Sequence, residues 1–225
     1  MKIKYLGQSS FLIETGGSKL MFDPMISGNP KANIKVEELK CDYILLTHGH
    51  QDHVLDAEAI ARNNDAKIIS NFEIVTWYSN KNIKGHPMNH GGAWKFPFGK
   101  VKYVNAVHSS VLPDGTYGGN PGGFVVSNDE LCFYHAGDTA LTLDMKLIPL
   151  TCPKLDFAIL PIGDNFTMGY EDAAIAAEYI ECDKIIACHY DTFPVIEVDK
   201  GKAKEAFQKR QKELLFLEIG EETTL

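Results

Sequence analysis

An α+β fold, with a two-sheet core flanked by helices, is predicted by three features of the sequence. Short alternating segments crowd the first quarter, continuous apolar runs recur later, and helical spacing is confined to a few stretches between them. Strands and helices therefore do not follow a strict βαβ alternation. Residues 3–6, 10–14 and 19–23 read as strands, because Gly7-Gln8 and Gly16-Gly17 between them are turn signals. Residues 42–47 (DYILLT) form a continuous apolar run, as expected of a strand covered on both faces. The spacing of Leu55, Ala59 and Ile60 predicts a helix over 54–63, ended by Asn63-Asn64. Further strands are expected at 67–70, 101–107, 123–127, 131–134, 157–161 and 184–188, and a last one at 214–219. Helices are expected at 171–180, where Glu171 and Asp172 suit a first turn, and at 200–212.

With 225 residues, 44% of them hydrophobic, the chain holds enough apolar material for a sizeable core and reads as one domain over 1–225. Lys and Arg total 22 against 30 Asp and Glu, a formal charge of −8. That balance argues against a nucleic-acid or anionic-membrane partner, both of which need a basic face. Cys41, Cys132, Cys152, Cys182 and Cys188 are odd in number and contain no C-x-x-C pair, so they read as reduced, buried thiols of a cytoplasmic protein. The opening residues lack the apolar stretch of a signal peptide, and no run approaches the ~18 residues of a membrane span. A homo-oligomer is left open.

The segment Thr47-His48-Gly49-His50-Gln51-Asp52-His53 packs three imidazoles and a carboxylate directly after a buried strand. Neutral imidazole nitrogens and carboxylate oxygens suit zinc or another first-row divalent ion. His48 and His50 can turn to one ion, and Asp52 and His53 lie where they can serve a second. The bland alternative is a solvated, His-rich helix start with Asp52 as its cap. More ligands would have to come from strand ends converging on the same edge. His108, Asp138 and His189 each follow an apolar run, as His48 does, although singly each also reads as a core histidine or a turn aspartate.

Together, the 47–53 motif, His108, Gly137-Asp138-Thr139 and His189 resemble the metallo-β-lactamase superfamily of hydrolases. The opening KYLGQSSF, the segment His135 to Thr139 and Pro161-Ile162-Gly163-Asp164 are similar to a group of short prokaryotic metal-dependent hydrolases related to ascorbate-6-phosphate lactonase. The resemblance implies a four-layer αββα sandwich with a dinuclear site where the sheets meet. It implies that His48, His50 and His108 hold one ion, that Asp52, His53 and His189 hold the other, and that Asp138 bridges them. The expected cofactor is two divalent ions, zinc first, with manganese, iron or nickel as alternatives.

The expected activity is hydrolysis of a small ester, lactone or phosphoester by hydroxide bridging the ions, with Asp52 as a proton acceptor or orienter. Two ions add about +4 at one edge, so an anionic small molecule is an expected substrate even for an acidic chain. The alternatives are a mononuclear-iron sulfur dioxygenase of the same fold and a non-catalytic metal-binding regulatory protein. Among the remaining polar residues, His135 reads as a substrate contact, an orienting partner or a hydrogen-bonded strand histidine. Asn165 and Thr167 read as substrate contacts, Thr167 equally as a helix cap, and Ser109 and Ser110 as a loop start. His86 and His90 are spaced i, i+4, but Pro87 between them argues against a helical ligand pair. The loop 88–92 with His90 is expected at the pocket border, and the glycine-rich stretch 117–123 as a tight turn or a mobile rim.

Overall fold

Among the described residues, 1–32 and 34–224 of the computed structural model, fourteen strands form two seven-stranded sheets. The first sheet takes β1 (Lys2–Gly7), β2 (Ser10–Thr15), β3 (Ser18–Phe22), β4 (Tyr43–Leu45), β5 (Lys67–Asn71) and β6 (Gly85–Met88), side by side in chain order. The second takes β7 (Ala93–Phe96), β8 (Gly99–Asn105), β9 (Gly122–Ser127), β10 (Cys132–His135), β11 (Phe157–Pro161), β12 (Lys184–Cys188) and β13 (Glu213–Leu215), again in chain order. A short β14 (Glu222–Thr223) returns to pair with β1. The helices are α1 (Gln51–Val54), α2 (Ala57–Asn64), α3 (Phe72–Ser79), α4 (Leu147–Thr151), α5 (Tyr170–Tyr179) and α6 (Lys200–Gln208). No helix of the described residues is long and apolar enough to cross a membrane.

Period-two side-chain alternation builds the layers. In β11, Phe157 and Ile159 enter the core between the sheets, while Ala158 and Leu160 enter the core under the helices. β12 repeats this, with Ile186 and Cys188 inward and Ile185 and Ala187 outward. Both faces of each strand are apolar because both are covered, which is why these strands read as continuous apolar runs. On the outer face of the second sheet, Ala173, Ala174, Ala176 and Ala177 let α5 lie close, beside Ala203 and Phe207 of α6. On the outer face of the first, Ile44, Leu46 and Ile68 pack on Ile60 of α2 and Ile74, Val75 and Tyr78 of α3. The result is the four-layer αββα sandwich.

Strand direction decides where the functional residues meet. β3 to β6 are parallel, and β1 runs the same way because two antiparallel pairings separate it from β3. In the second sheet β10 to β13 are parallel, and β8 shares their direction through β9. Gln8, Asp23, His48, His108, Asp138 and His189 thus all follow the carboxyl ends of like-directed strands within their sheets.

The predicted strands are present with shifted ends, and several elements escape periodicity. β6 (GHPM) contains Pro87 and is tolerated because β6 is an edge strand. α3 carries only a thin polar stripe, Glu73, Thr76 and Ser79, among five bulky apolar residues, and Asn71 caps it by accepting a hydrogen bond from the Ile74 N–H. The helix expected over 54–63 begins at Ala57, because Asp56 is taken up by the backbone of Ile26 and Ser27. The strand expected over 214–219 ends at Leu215, where pairing with β12 stops.

Between the sheets, Phe133 and Phe157 stack with centroids 5.0 Å apart. Phe157→Ala should lower unfolding free energy by about 3–5 kcal/mol in urea titrations, a core cavity's cost. Val195→Ala, at a site 61% exposed, should change it by no more than about 0.5 kcal/mol. Equal effects would contradict this core.

Candidate metal centre

The turn after β4 begins with a buried carboxylate from another strand. Asp23, completely buried at the end of β3, accepts the Thr47 N–H at 2.8 Å on Oδ1 and the Thr47 hydroxyl at 2.6 Å on Oδ2. Since the Thr47 proton is donated there, the 3.1 Å contact between Thr47 Oγ1 and His48 Nδ1 must be a hydrogen bond from the imidazole N–H. That leaves the His48 Nε2 lone pair facing the site. Asp23 Oδ2 also stands 2.9 Å from His53 Nδ1, which sets His53 the same way, Nε2 inward. On His50, Nε2 lies 3.3 Å from Ser109 Oγ, leaving Nδ1 toward His48.

The seven predicted ligands come together in two groups. His48, His50 and His108 form one, and Asp52, His53, Asp138 and His189 form the other, with candidate ligand atoms in each group within 4.8 Å of one another. In the first, His48 Nε2 and His50 Nδ1 are 3.0 Å apart. Two nitrogens each about 2.0–2.1 Å from one ion would sit roughly 3 Å apart, so the spacing fits a shared metal. Asp138 joins the groups. Its Oδ2 lies 3.9 Å from His48 Nε2 and 3.6 Å from His108 Nε2 on one side, and 3.3 Å from His53 Nε2 and 3.1 Å from His189 Nε2 on the other.

The electrostatics differ between the groups. Burial holds His48, His50 and His108 below the usual histidine range, so they are neutral and free to donate lone pairs. For His53, burial opposes protonation, but Asp138, Asp52 and Asp23 overcome it and raise it well above that range. Burial likewise opposes the charge on His189, which Asp138 and Asp52 nonetheless raise to about 9. Burial would also favour neutral carboxyls at Asp52 and Asp138, yet the adjoining imidazoles hold both below the ordinary carboxylate range. Protons thus stand in where cations fit. Geometry agrees: His53 Nε2 and Asp138 Oδ1 are buried without an aligned hydrogen-bond partner. The donor set and its unmatched atoms fit divalent ions.

The turn bearing Asp138 is held by Gly137, at φ 63°, where a Cβ would fall 2.5 Å from Thr47 Cβ. His135 is fully buried, stacks on Phe22 and accepts the Gly137 N–H at 3.1 Å, so it positions this turn and does not reach the pocket. Asn165 and Thr167 also lie outside the pocket lining; Phe166 between them is the residue that faces it. His90 contacts the Pro121 carbonyl at 2.8 Å, and His86 packs against Trp94 and Phe96, so neither joins the site. The 117–123 stretch is a brace and not a mobile rim. Gly118 accepts from Asn71 Nδ2 at 2.7 Å, and the Gly122 N–H donates to the Thr47 carbonyl at 3.1 Å.

Sequence reasoning passed over Asp23, Gln8, Ser109 and Ser110 as site residues. Gln8 donates from Nε2 to Asp52 Oδ2 at 3.0 Å, and its carbonyl accepts the His189 N–H at 2.9 Å. Ser110 Oγ accepts the Gly49 N–H at 3.0 Å, bracing the turn between His48 and His50.

The family model for a beta-lactamase superfamily domain matches residues 2–189. Curated UPF0173 metal-dependent hydrolases match over the whole of both chains, one from Christiangramia forsetii at 58% identity and one from Methylacidiphilum infernorum at 46%. The solved structure of a metallo hydrolase from Ignicoccus hospitalis superposes with a TM-score of 0.90 at 32% identity, over 99% of this chain and 97% of the other. The chain belongs to the β-lactamase superfamily, among its metal-dependent hydrolases.

Proposed function

We propose that this chain hydrolyses a small ester, lactone or phosphoester at two divalent ions, zinc first among the candidates. His48, His50 and His108 would hold one ion, Asp52, His53 and His189 the other, and Asp138 would stand between them. The observation that carries this reading is the position of Asp138 Oδ2, within reach of two imidazoles from each group. A mononuclear-iron dioxygenase would leave the Asp52, His53 and His189 donors unused, which favours the two-ion reading. When bound, such ions supply an acidified water and polarise the oxygen of the scissile group.

The chain's own residues supply orientation and proton handling. Asp23 and Thr47 fix the tautomers of His53 and His48, so donor atoms need not rearrange on loading. Asp52, partly exposed at the pocket floor, is tethered by Gln8 Nε2 through Oδ2 and is the group placed to accept or orient a water proton. The five free thiols support a cytoplasmic setting, with burial pushing Cys41 and Cys132 up to about 12. The partner is a small molecule, not nucleic acid or membrane.

His48→Ala and Asp138→Ala should each lose bound metal by elemental analysis and lower hydrolysis of p-nitrophenyl butyrate by roughly 100-fold or more. Full metal with full turnover in either variant would contradict the assignment. Asp23→Asn keeps the size of the side chain but removes a charge and an acceptor. It should weaken metal affinity about 10–100-fold in chelator competition while the chain stays folded. Unchanged affinity would remove Asp23 from the account.

A further inference from the structure

A cavity of about 620 Å³ opens over the two ligand groups. Its floor is His50, Asp52, His108, Asp138 and His189, and its walls include Met25, Leu55, Phe166 and Phe193. No lysine or arginine lines it. Lys31, on the loop that carries Met25, donates to the Asp191 carbonyl and is not part of the lining.

The aromatic walls are built and not incidental. Phe166 is 57% exposed and Phe193 39%, yet both sit on short loops tied by hydrogen bonds. Before Phe166, Asp164 and Asn165 adopt left-handed backbone at φ 59° and 52°, and after it the Met168 N–H is bound to the Thr139 carbonyl at 3.0 Å. Around Phe193, the Asp191 N–H donates to the Ile196 carbonyl at 2.8 Å, and Asp191 Oδ1 accepts the Val198 N–H at 2.9 Å. The loops also touch, since a Cβ on Gly163 would lie 2.1 Å from the His189 carbonyl. Opposite them, Asp56 holds the Met25 loop through the Ile26 N–H at 2.6 Å. Large apolar side chains kept in place beside a polar floor mark a site for an apolar ligand part.

Charge points the same way. Two divalent ions would bring four positive charges, and Asp23, Asp52 and Asp138 supply three negative ones within hydrogen-bonding reach of the ligands. Little net positive charge is left to attract an anion, and a second anionic group on the substrate would have to lie against phenylalanine and methionine without a partner.

Resting on the hydrolytic reading above, we propose that the pocket takes a neutral ester or lactone whose acyl arm is apolar, and not a phosphorylated or otherwise anionic substrate. The arm lies between Phe166, Phe193, Met25 and Leu55 while the carbonyl meets the floor. Water oxygen bonds to the acyl carbon, the acyl C–O bond breaks, and the water proton passes to the departing alkoxide, giving a carboxylic acid and an alcohol from an ester or one hydroxy acid from a lactone. This replaces the anionic substrate expected from ion charge alone.

The test uses zinc-loaded protein and calorimetry with acetohydroxamate, hexanohydroxamate and succinic monohydroxamate, whose common head binds divalent ions. A buried methylene is worth roughly fourfold in affinity, so burying half of the four added ones predicts hexanohydroxamate binding about tenfold or more tighter than acetohydroxamate. In Phe166→Ala/Phe193→Ala that ratio should fall to about threefold or less, and in neither protein should the carboxylate-ended analogue gain over acetohydroxamate. Equal binding of the short and long arms, tighter binding of the carboxylate-ended one, or an unchanged ratio in the double variant would overturn the proposal. Hexanohydroxamate preference with no turnover across neutral esters and lactones would keep the pocket's preference and overturn the hydrolytic reading instead.

Discussion

A carboxylate buried among four imidazoles has to be neutralised, and the arrangement of the sandwich edge follows from that requirement. Asp138 is 2% exposed, and His48, His108, His53 and His189 all lie within 4 Å of its Oδ2. Against the cost of burial, Asp138 and Asp52 favour the protonated forms of His53 and His189. Divalent ions would relieve the same charge and take up the imidazole lone pairs. Metal binding at this edge would therefore be coupled to the protonation of His53 and His189.

The sheets make this packing feasible by bringing six like-directed strand ends to one place. β3 delivers Asp23, β4 the His48 turn, β8 His108, β10 Asp138 and β12 His189, while the end of β1 delivers Gln8. Asp23 fixes residues on both halves of the motif at once, through Thr47 on one side and His53 on the other. Gly137 lets the second sheet's turn approach Thr47 of the first, closer than any side chain would allow. Met25, Leu55, Phe166 and Phe193, from loops apart from the ligand turns, then wall the cavity.

The candidate ligands were legible in the sequence because they are chemically distinctive and follow apolar runs. Four of them lie within six residues, and the other three repeat the same strand-end position. The residues that orient them were not, because their roles arise across long separations. Asp23 meets Thr47 and His53 at 24 and 30 residues' distance, and Gln8 meets Asp52 across 44. Locally, Asp23 only closes a strand and Gln8 only follows a turn glycine. His135 was visible as a histidine at a strand tip, but only the folded turn shows that its partner is the Gly137 N–H. The pocket walls were missed for a different reason. Polar Asn165 and Thr167 drew attention, while the apolar residue between them faces the cavity. In the fold, the buried strands were readable from both-face apolarity, whereas β6, β7 and β14 lie at or beside sheet edges where that signal fades.

In the proposed site one carboxylate, Asp138, serves two ions held by separate groups of ligands. Anomalous diffraction at the zinc edge, on crystals of the zinc-loaded chain, tests it most directly. Two peaks are expected, one beside His48, His50 and His108 and one beside Asp52, His53 and His189, with Asp138 in contact with both. A single fully occupied peak in the three-histidine group, with His189 free of metal, would contradict it.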